Sequence, residues 1–465
     1  MNSKLARLFI ALFFALVFSS SVKADEVDKF VRAVMQERQI PGAAIAVVKN
    51  GKIVKKQGYG VASVEFGVPV TPDTVFEIGS VTKQMTAAAV MLLVEDGKVR
   101  LDDKISVYLP GTPEAWKNVT VRNLLTHTSG IKSYTAIGAG FELTKRLKRD
   151  DFIKALAAYP LDFEPGARYS YSNSGYNLLG LIIEAASGKP YWDFMRERIF
   201  APLGMTETFD RDPKYIIKNR ATGYELENNQ LVGRDYDLTD IFSAGAIVST
   251  VGDLAKWDAA WRNDTLLKKE SKQQAWTPFV LNDGKPYPYG FGWSVADFRG
   301  HKLISHSGST AGFSSQIMRF TDDDLSVIVL INQGTGTFAG AIARGVAKIY
   351  IPEISLRAMK AQAEADKALS ETLANALRER MENKFDARVL TDNLIKSLST
   401  TRAKANNLRL ASFGTIKNFT FVGGETADDS KIYRYKAETA KRLFLWRFAV
   451  NGEGRITEMT IEDEE

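Results

Sequence analysis

The chain has 465 residues and a formal net charge of +6. Three of its basic residues, Lys4, Arg7 and Lys23, precede the first acidic residue, so the chain from Asp25 onward carries only +3. This mild excess is spread along the chain, and we expect no nucleic-acid partner. The absence of cysteine excludes a thiol nucleophile and a disulfide framework.

The first 24 residues have the pattern of a secretory signal peptide. An apolar run from Leu8 to Val17 follows two basic residues, and Val22-Lys23-Ala24 has the small residues of a cleavage site. The run is too short to cross a bilayer, which needs about 20 residues. We therefore predict cleavage after Ala24, no membrane span elsewhere, and a periplasmic or extracellular location.

The next elements in chain order alternate between strand and helix patterns. Helical spacing over Glu26–Arg38 precedes two strand-like runs that flank Asn50-Gly51, a strong hairpin signal. Helices are then predicted at Ser80–Glu95, Arg122–Leu125, Phe152–Ala158, Tyr176–Ala186 and Tyr191–Phe200. Late strands are predicted at His301–Ser309, Gly312–Phe320 and Leu325–Gln333, followed by a helix at Ala339–Tyr350. Strands at both ends with helices between them predict an α/β (α+β) fold, with one antiparallel sheet flanked by helices and a helical lobe beside it.

The character of the chain changes near Pro352. A charged, alanine-rich stretch predicts one long helix over Leu356–Asn383, with a second helix near Val389–Ser397. Strand runs follow at Gly414–Gly424, Lys431–Thr439, Arg442–Gly452 and Arg455–Asp463. We therefore predict a signal peptide (1–24), a main domain (25–352), and a linker helix with a small C-terminal α+β domain (353–465) that serves a structural, binding or dimerising role.

The motifs favour serine chemistry. With three histidines, the sequence contains no zinc-type cluster, and it lacks both a Gly-x-Ser-x-Gly elbow and a phosphate loop. We expect no metal and no cofactor. Ser-x-x-Lys occurs at Ser20–Lys23, Ser80–Lys83 and Ser129–Lys132, but only the second opens a strong helix. That spacing places both side chains on one face, so the pair is either a nucleophile with its base or an ordinary capped helix.

Two later motifs bear on that choice. Tyr171-Ser172-Asn173 lies in a loop before a helix, and His306-Ser307-Gly308 lies between late strands. Each alone is typical of a polar loop or a hairpin, but together with Ser80 they favour a catalytic site. A nearby Lys83 would help Tyr171 to lose its proton, whereas a desolvated Lys83 could itself be the base, and both alternatives stay open.

The segments "FEIGSVTK", "LLTHTSG", "PGARYSYSN", "GYNLLGLIIE" and the late "HSG" occur in this order between Gln36 and Tyr350. On these motifs the chain resembles the serine β-lactamase/penicillin-binding-protein superfamily, on its class C β-lactamase, DD-peptidase and family VIII esterase side. The resemblance implies a β-lactamase/DD-peptidase-like fold. It implies a catalytic set of Ser80, Lys83 and Tyr171 and a substrate-binding set of Asn173, His306, Ser307, Gly308 and Ser309.

The resemblance also implies roles at the site. Asn173 would hold Lys83 and an amide of the substrate, and the backbone N–H groups of Ser80 and Ser309 would form the oxyanion hole. Many β-lactamases have Lys-Thr-Gly where this chain has His306. Histidine is mostly neutral near pH 7 and attracts a substrate carboxylate less than lysine does, which argues against an efficient β-lactamase.

The expected function is that of a secreted serine hydrolase acting through a Ser80 acyl-enzyme on D-Ala-type peptides or related amides and esters. The alternatives are an esterase of short acyl esters, a weak β-lactamase, or a non-catalytic binding or sensor protein. The partner would be a small molecule or peptide, and Arg299 is a candidate clamp for its carboxylate. If His306 acted as a cation, activity should fall as the pH rises through about 6.5. The natural substrate, the general base and the oligomeric state are not determined by the sequence.

Overall fold

The computed structural model describes residues 25–136, 149–238, 241–336, 338–363, 366–427 and 429–465. The predicted signal peptide lies outside these described residues. The chain divides into two compact units between Tyr350 and Ile351. Within the described ranges, no helix is both long and apolar enough to cross a bilayer.

The first unit combines a large sheet with many helices. Its strands are β1 (Gly42–Lys49), β2 (Lys52–Ser63), β3 (Val68–Pro69), β4 (Phe76–Glu77), β5 (Phe209–Asp210), β6 (Gly223–Glu227), β7 (Gln230–Arg234), β8 (Ile247–Ser249), β9 (Phe279–Val280), β10 (Pro286–Tyr287), β11 (Ser294–Phe298), β12 (His301–Thr310), β13 (Phe313–Phe320) and β14 (Leu325–Ile331). Its helices are α1 (25–38), α2 (Thr82–Glu95), α3 (Val121–Leu125), α4 (Arg149–Ala157), α5 (Asn173–Ser187), α6 (Tyr191–Met195), α7 (Phe242–Gly245), α8 (Val251–Arg262), α9 (Lys269–Ala275) and α10 (Phe338–Tyr350). A π-helical turn, Arg196–Phe200, follows α6 directly.

Seven strands form one antiparallel sheet in the order β11-β12-β13-β14-β1-β2-β3. The two ends of the unit meet in it, because Ile45 on β1 lies opposite Val329 on β14. Strands β13 and β14 are buried at every position, which requires cover on both faces of the sheet. Helices α8 and α10 pack against β14. The predicted antiparallel sheet flanked by helices is therefore confirmed.

The start of α2 differs from the predicted helix start. Ser80 lies in a 3₁₀ turn, Gly79–Val81, and the α-helix begins at Thr82. The turn is tight because it passes against β12: a Cβ on Gly79 would lie 2.7 Å from the backbone nitrogen of Ser309, and φ at Gly79 is +50°. Helix α2 is buried from Thr82 to Leu93 and packs against α5 and α7.

Two further helices differ from the sequence prediction. Helix α5 begins three residues earlier than its apolar spacing indicates, since Ser172 caps it by accepting a hydrogen bond from the Gly175 N–H at 3.3 Å. Helix α8 was not predicted, although Thr250 caps it in the same way. Its sequence mixes apolar and charged residues without a clean stripe, so its spacing alone gave a weak signal.

The second unit is an α+β fold. It contains the helices α11 (Lys367–Met381), α12 (Asp392–Leu398) and α13 (Thr401–Ala411) and the strands β15 (Asn418–Ala427), β16 (Ser430–Glu438), β17 (Leu443–Asn451) and β18 (Ile456–Glu464). The strands form a sequential antiparallel sheet. Helix residues such as Leu373 and Leu377 pack on Trp446 and Phe448 to form its core.

The single long helix predicted over Leu356–Asn383 is wrong. The helix begins at Lys367, where Asp366 accepts a hydrogen bond from the Leu369 N–H at 3.0 Å. Before it, the chain forms a turn, in which the Met359 N–H donates to the carbonyl of Leu356, and then bonds to the sheet, where the Gln362 N–H donates to the carbonyl of Phe421 at 3.0 Å. Helix α13 was also missed, because its outer surface is polar and its apolar residues are few.

Candidate active site

Lys83 Nζ stands at the centre of the site. It lies 3.0 Å from Ser80 Oγ, 2.8 Å from Asn173 Oδ1 and 2.7 Å from the carbonyl oxygen of Ala244. The two carbonyl oxygens can only accept hydrogen bonds. A neutral amine has two N–H groups and one lone pair. In that neutral form the two oxygens use both N–H groups and the lone pair faces the Ser80 hydroxyl, whereas an ammonium would donate to all three oxygens.

The surroundings of Lys83 favour that neutral form. The side chain is fully buried, and its three hydrogen-bonding neighbours are uncharged. Burial lowers the pKa of Lys83 well below its usual value. The arrangement can therefore take a proton from Ser80.

Tyr171 lies over the same lysine, with its ring centroid 4.8 Å from Lys83 Nζ. Burial raises the pKa of the Tyr171 phenol, and a hydrogen bond with Ser80 opposes that rise without cancelling it. A neighbouring cation would instead lower the pKa of Tyr171. Tyr171 is therefore a neutral phenol beside the Ser80 hydroxyl, although 37% of its surface is exposed to the cleft.

His306 is buried and hydrogen-bonded on both ring nitrogens. Nδ1 lies 2.6 Å from the carbonyl oxygen of Ser307, and Nε2 lies 2.9 Å from the hydroxyl of Tyr289. Because the carbonyl can only accept, Nδ1 carries the proton and Nε2 accepts from Tyr289. Burial, and then the proximity of Lys83, lower the pKa of His306 to about 4. The burial and hydrogen bonds of His306 therefore favour its neutral form near pH 7.

The backbone of β12 passes close to the turn that carries Ser80. A Cβ on Gly308 would lie 2.0 Å from the carbonyl oxygen of Ile78, so this position requires glycine. Along the strand, Ser307 and Ser309 are exposed and alternate with the buried His306 and Gly308. The structure thus brings the "HSGS" motif to the same place as Ser80 and Lys83.

His127 holds the loop that carries Tyr171. Its carbonyl accepts from the Ser170 N–H at 2.8 Å, and its Nδ1 accepts from the Ser172 N–H at 3.1 Å. Its ring centroid lies 4.3 Å from that of Tyr171. These contacts fix the loop between His127 and Tyr171.

The side chains of two other sequence candidates take no part in the contacts around Lys83. Arg299 lies in the turn before β12, and the strand from His301 to Ser309 spans roughly 26 Å at about 3.3 Å per residue. It therefore cannot clamp a substrate carboxylate at Ser80. In the second Ser-x-x-Lys pair, Ser129 Oγ accepts from the Ile131 N–H, whereas Lys132 forms an ion pair with Asp162 at 2.5 Å.

Sequence reasoning missed the contribution of Ala244. Its carbonyl oxygen reaches Lys83 across 161 positions of the chain, and no side-chain motif marks a backbone carbonyl. Among the described residues, no group of three or more His, Asp or Glu side chains is placed to hold a metal ion.

Comparison with known proteins places these features in a family. The sequence model described as Beta-lactamase matches residues 27–350. Penicillin-binding protein 4* of Bacillus subtilis is 34% identical over 326 residues, which cover 65% of this chain and 70% of that protein.

Comparison with solved structures shows that other proteins share this fold. The octameric penicillin-binding protein homologue from Pyrococcus abyssi has a TM-score of 0.63 and 24% identity, with 92% of this chain and 97% of that chain covered. At this identity the likeness concerns the fold alone. D-amino acid amidase from Ochrobactrum anthropi, solved with L-phenylalanine amide, has a TM-score of 0.61 and 26% identity, with 71% of this chain and 98% of that chain covered.

Proposed function

The chain belongs to the beta-lactamase family over residues 27–350, as its motifs predicted, and on that premise we propose that it is a serine hydrolase that forms an acyl-enzyme on Ser80. The observation that carries the proposal is the 3.0 Å contact between Ser80 Oγ and the buried amine of Lys83. A serine hydroxyl is a weak nucleophile until a base takes its proton. A buried lysine without a charged partner supplies such a base.

In the proposed reaction, Lys83 Nζ takes the Ser80 proton while Oγ bonds to the substrate carbonyl carbon. The N–H groups of Ser80 and Ser309 stabilise the oxyanion. The bond to the leaving group then breaks, and the proton passes from Lys83 to the leaving amine or alcohol, with the neutral Tyr171 phenol relaying it. Asn173 holds Lys83 and the substrate amide. Water afterwards hydrolyses the ester on Ser80.

The expected substrates are amides and peptides of the D-Ala type. No cation among the groups described at the site is fixed for a substrate carboxylate, since His306 is neutral and Arg299 is remote. The likeness to a D-amino acid amidase supports neutral amides. Short acyl esters are the second candidate class, and efficient β-lactam hydrolysis ranks below both. A non-catalytic binding role is disfavoured because Ser80, Lys83, Tyr171 and Asn173 all remain in place.

The remaining sequence predictions form part of the same proposal. The pattern of residues 1–24 supports export to the periplasm or the medium, with cleavage after Ala24. We take residues 25–352 as the hydrolase domain and 353–465 as an accessory domain. The division of the chain into compact units near these positions supports that boundary.

The test is intact mass spectrometry after incubation with a penicillin, on the wild-type protein and on Ser80→Ala, together with turnover of D-alanine amide and a short p-nitrophenyl ester. We expect an adduct or turnover in the wild type and neither in Ser80→Ala. Equal activity in both proteins would overturn the proposal. A wild type that is inert toward every probe would favour the binding role.

A further inference from the structure

A buried carboxylate that the proposed chemistry does not use lies three residues before Ser80. Glu77 is only 3% exposed. Its Oε1 accepts a hydrogen bond from Arg211 Nε at 3.2 Å, and its Oε2 accepts one from the Thr310 hydroxyl at 2.7 Å. The contact with Thr310 crosses 233 positions of the chain and reaches the residue that directly follows Ser309.

Arg211 holds this carboxylate in place. It is 5% exposed and also forms an ion pair with Asp235, which in turn pairs with Arg220. Burial raises the pKa of Glu77, and the hydrogen bond from Thr310 and the charge of Arg211 oppose that rise. Both partners therefore stabilise the charged form of Glu77, and their hydrogen bonds fix its carboxylate on two sides.

The backbone between these side chains is closely packed. Substitution of Gly79 would bring a Cβ within 2.7 Å of Ser309 N, and substitution of Gly308 would bring one within 2.0 Å of the Ile78 carbonyl oxygen. The Ser315 hydroxyl donates to that same carbonyl at 2.7 Å. The turn before Ser80 therefore lies in direct contact with the end of β12, and the Glu77–Thr310 hydrogen bond is a side-chain link across that contact.

We propose that Glu77 and Thr310 are positioning residues for the oxyanion hole, because their hydrogen bond sets the distance between the N–H groups of Ser80 and Ser309. The inference rests on the proposed function of Ser80. An oxyanion hole works only if its donors lie about 2.7–3.1 Å from the oxyanion, and loss of one donor costs roughly 10²–10³-fold in kcat. A hydrogen bond that holds the two donor-bearing segments at a fixed distance therefore affects kcat.

A matched pair of variants separates positioning from simple structural support. Thr310→Val keeps the shape of the side chain and removes its hydroxyl, whereas Thr310→Ser keeps the hydroxyl and removes a methyl group. Thr310 is half-buried, so neither change should prevent folding. Should Thr310→Val fail to fold, Thr310→Ala serves in the same comparison.

The readout is the Kd of phenylboronic acid, measured by calorimetry. A boronic acid adds to a serine hydroxyl and forms a tetrahedral anion whose oxygen occupies the oxyanion hole, so the test needs no turnover. We expect Thr310→Val to bind about tenfold more weakly and Thr310→Ser to bind within about threefold of the wild type, because only the hydroxyl holds Glu77. Thermal unfolding of all three proteins accompanies the measurement.

Two results would overturn the inference: equal affinity in Thr310→Val and wild type, or equal losses in both Thr310 variants. Either result leaves Ser80 as the nucleophile if the wild type binds boronate and Ser80→Ala does not. A wild type that binds no boronate and forms no penicillin adduct removes the proposed function, and this inference with it.

Discussion

Asn173 Oδ1 lies 2.8 Å from Lys83 Nζ, and this contact joins the first turns of two helices that are 90 positions apart in the chain. The amide oxygen takes one N–H of the amine, and the Ala244 carbonyl takes the other. Asn173 thereby orients the lone pair of Lys83 toward Ser80 without adding a charge. An amide suits this position, since a carboxylate would hold the amine in its cationic form.

Replacing that amide by a carboxylate should disable the base. In Asn173→Asp, the negative charge beside Lys83 raises the pKa of the amine, and the protonated lysine cannot accept the Ser80 proton. The acidic limb of the kcat/KM profile should therefore move to higher pH, by about 1–3 pH units. Asn173→Ala, which adds no charge, is the control. Superimposable profiles for Asn173→Asp and wild type would contradict the assignment of Lys83 as base.

Lys83 itself should be dispensable for folding but not for catalysis. Lys83→Met should reduce kcat by roughly 10²–10⁴-fold, the usual contribution of a general base. Because the pKa of Lys83 is lower in the folded state than in the unfolded state, the unfolded chain binds more protons, and stability rises with pH up to about 10.4.

The stability of Lys83→Met provides the check on this reasoning. Between the folded-state pKa of Lys83 and about pH 10.4, the wild type should gain about 1.4 kcal/mol of stability per pH unit relative to the variant, because only the wild type carries the titrating amine. Denaturant unfolding at about pH 7 and about pH 10 measures the change. A stability difference that does not change with pH would show that the ammonium form is accommodated in the folded protein.

His306 should not act as a pH switch. Its pKa of about 4 keeps it neutral between pH 5.5 and 8, so the ratio of kcat/KM for a carboxylate-bearing substrate and its neutral amide should stay constant there. A fall of that ratio through about pH 6.5 would restore the cationic role. In His306→Lys the ratio should increase in favour of the carboxylate, because a fixed cation then lies in the cleft.

His127 should be replaceable by asparagine but not by leucine. Its φ is +58°, a conformation that asparagine adopts readily, and asparagine Oδ1 can accept the Ser172 N–H in place of Nδ1. His127→Asn should thus retain most of kcat. His127→Leu offers no acceptor, and a displaced Tyr171 should cost roughly tenfold to 100-fold. Equal kcat values in both variants would show that His127 does not position Tyr171.

The sequence predicted those parts of the site that local patterns encode. Ser80 and Lys83 are three residues apart, and Tyr171 and Asn173 are two apart, so short motifs reveal them. The Ala244 carbonyl is 161 positions from Lys83, and a backbone atom leaves no side-chain motif. Glu77 and Thr310 are 233 positions apart, and both are common polar residues. Such pairs become visible only once the fold is known.

The secondary-structure elements show the same contrast between local patterns and long-range contacts. The hairpin at Asn50-Gly51 and the late strands followed from local turn chemistry and apolar runs. The stretch over Leu356–Asn383 has helical composition throughout, yet its first part bonds to Phe421 and is not helical. Tertiary contacts overrode the local preference there.

The pairing of Ile45 with Val329 has a consequence for biosynthesis. The first strand of the unit is made early, but its neighbour β14 is the last strand of that unit to be made. Until then β1 presents an apolar, unpaired edge, and closing so long a loop makes the folding step slow. We therefore expect a product that stops short of Ile331 to leave this edge of β1 unpaired and to be degraded rather than to accumulate.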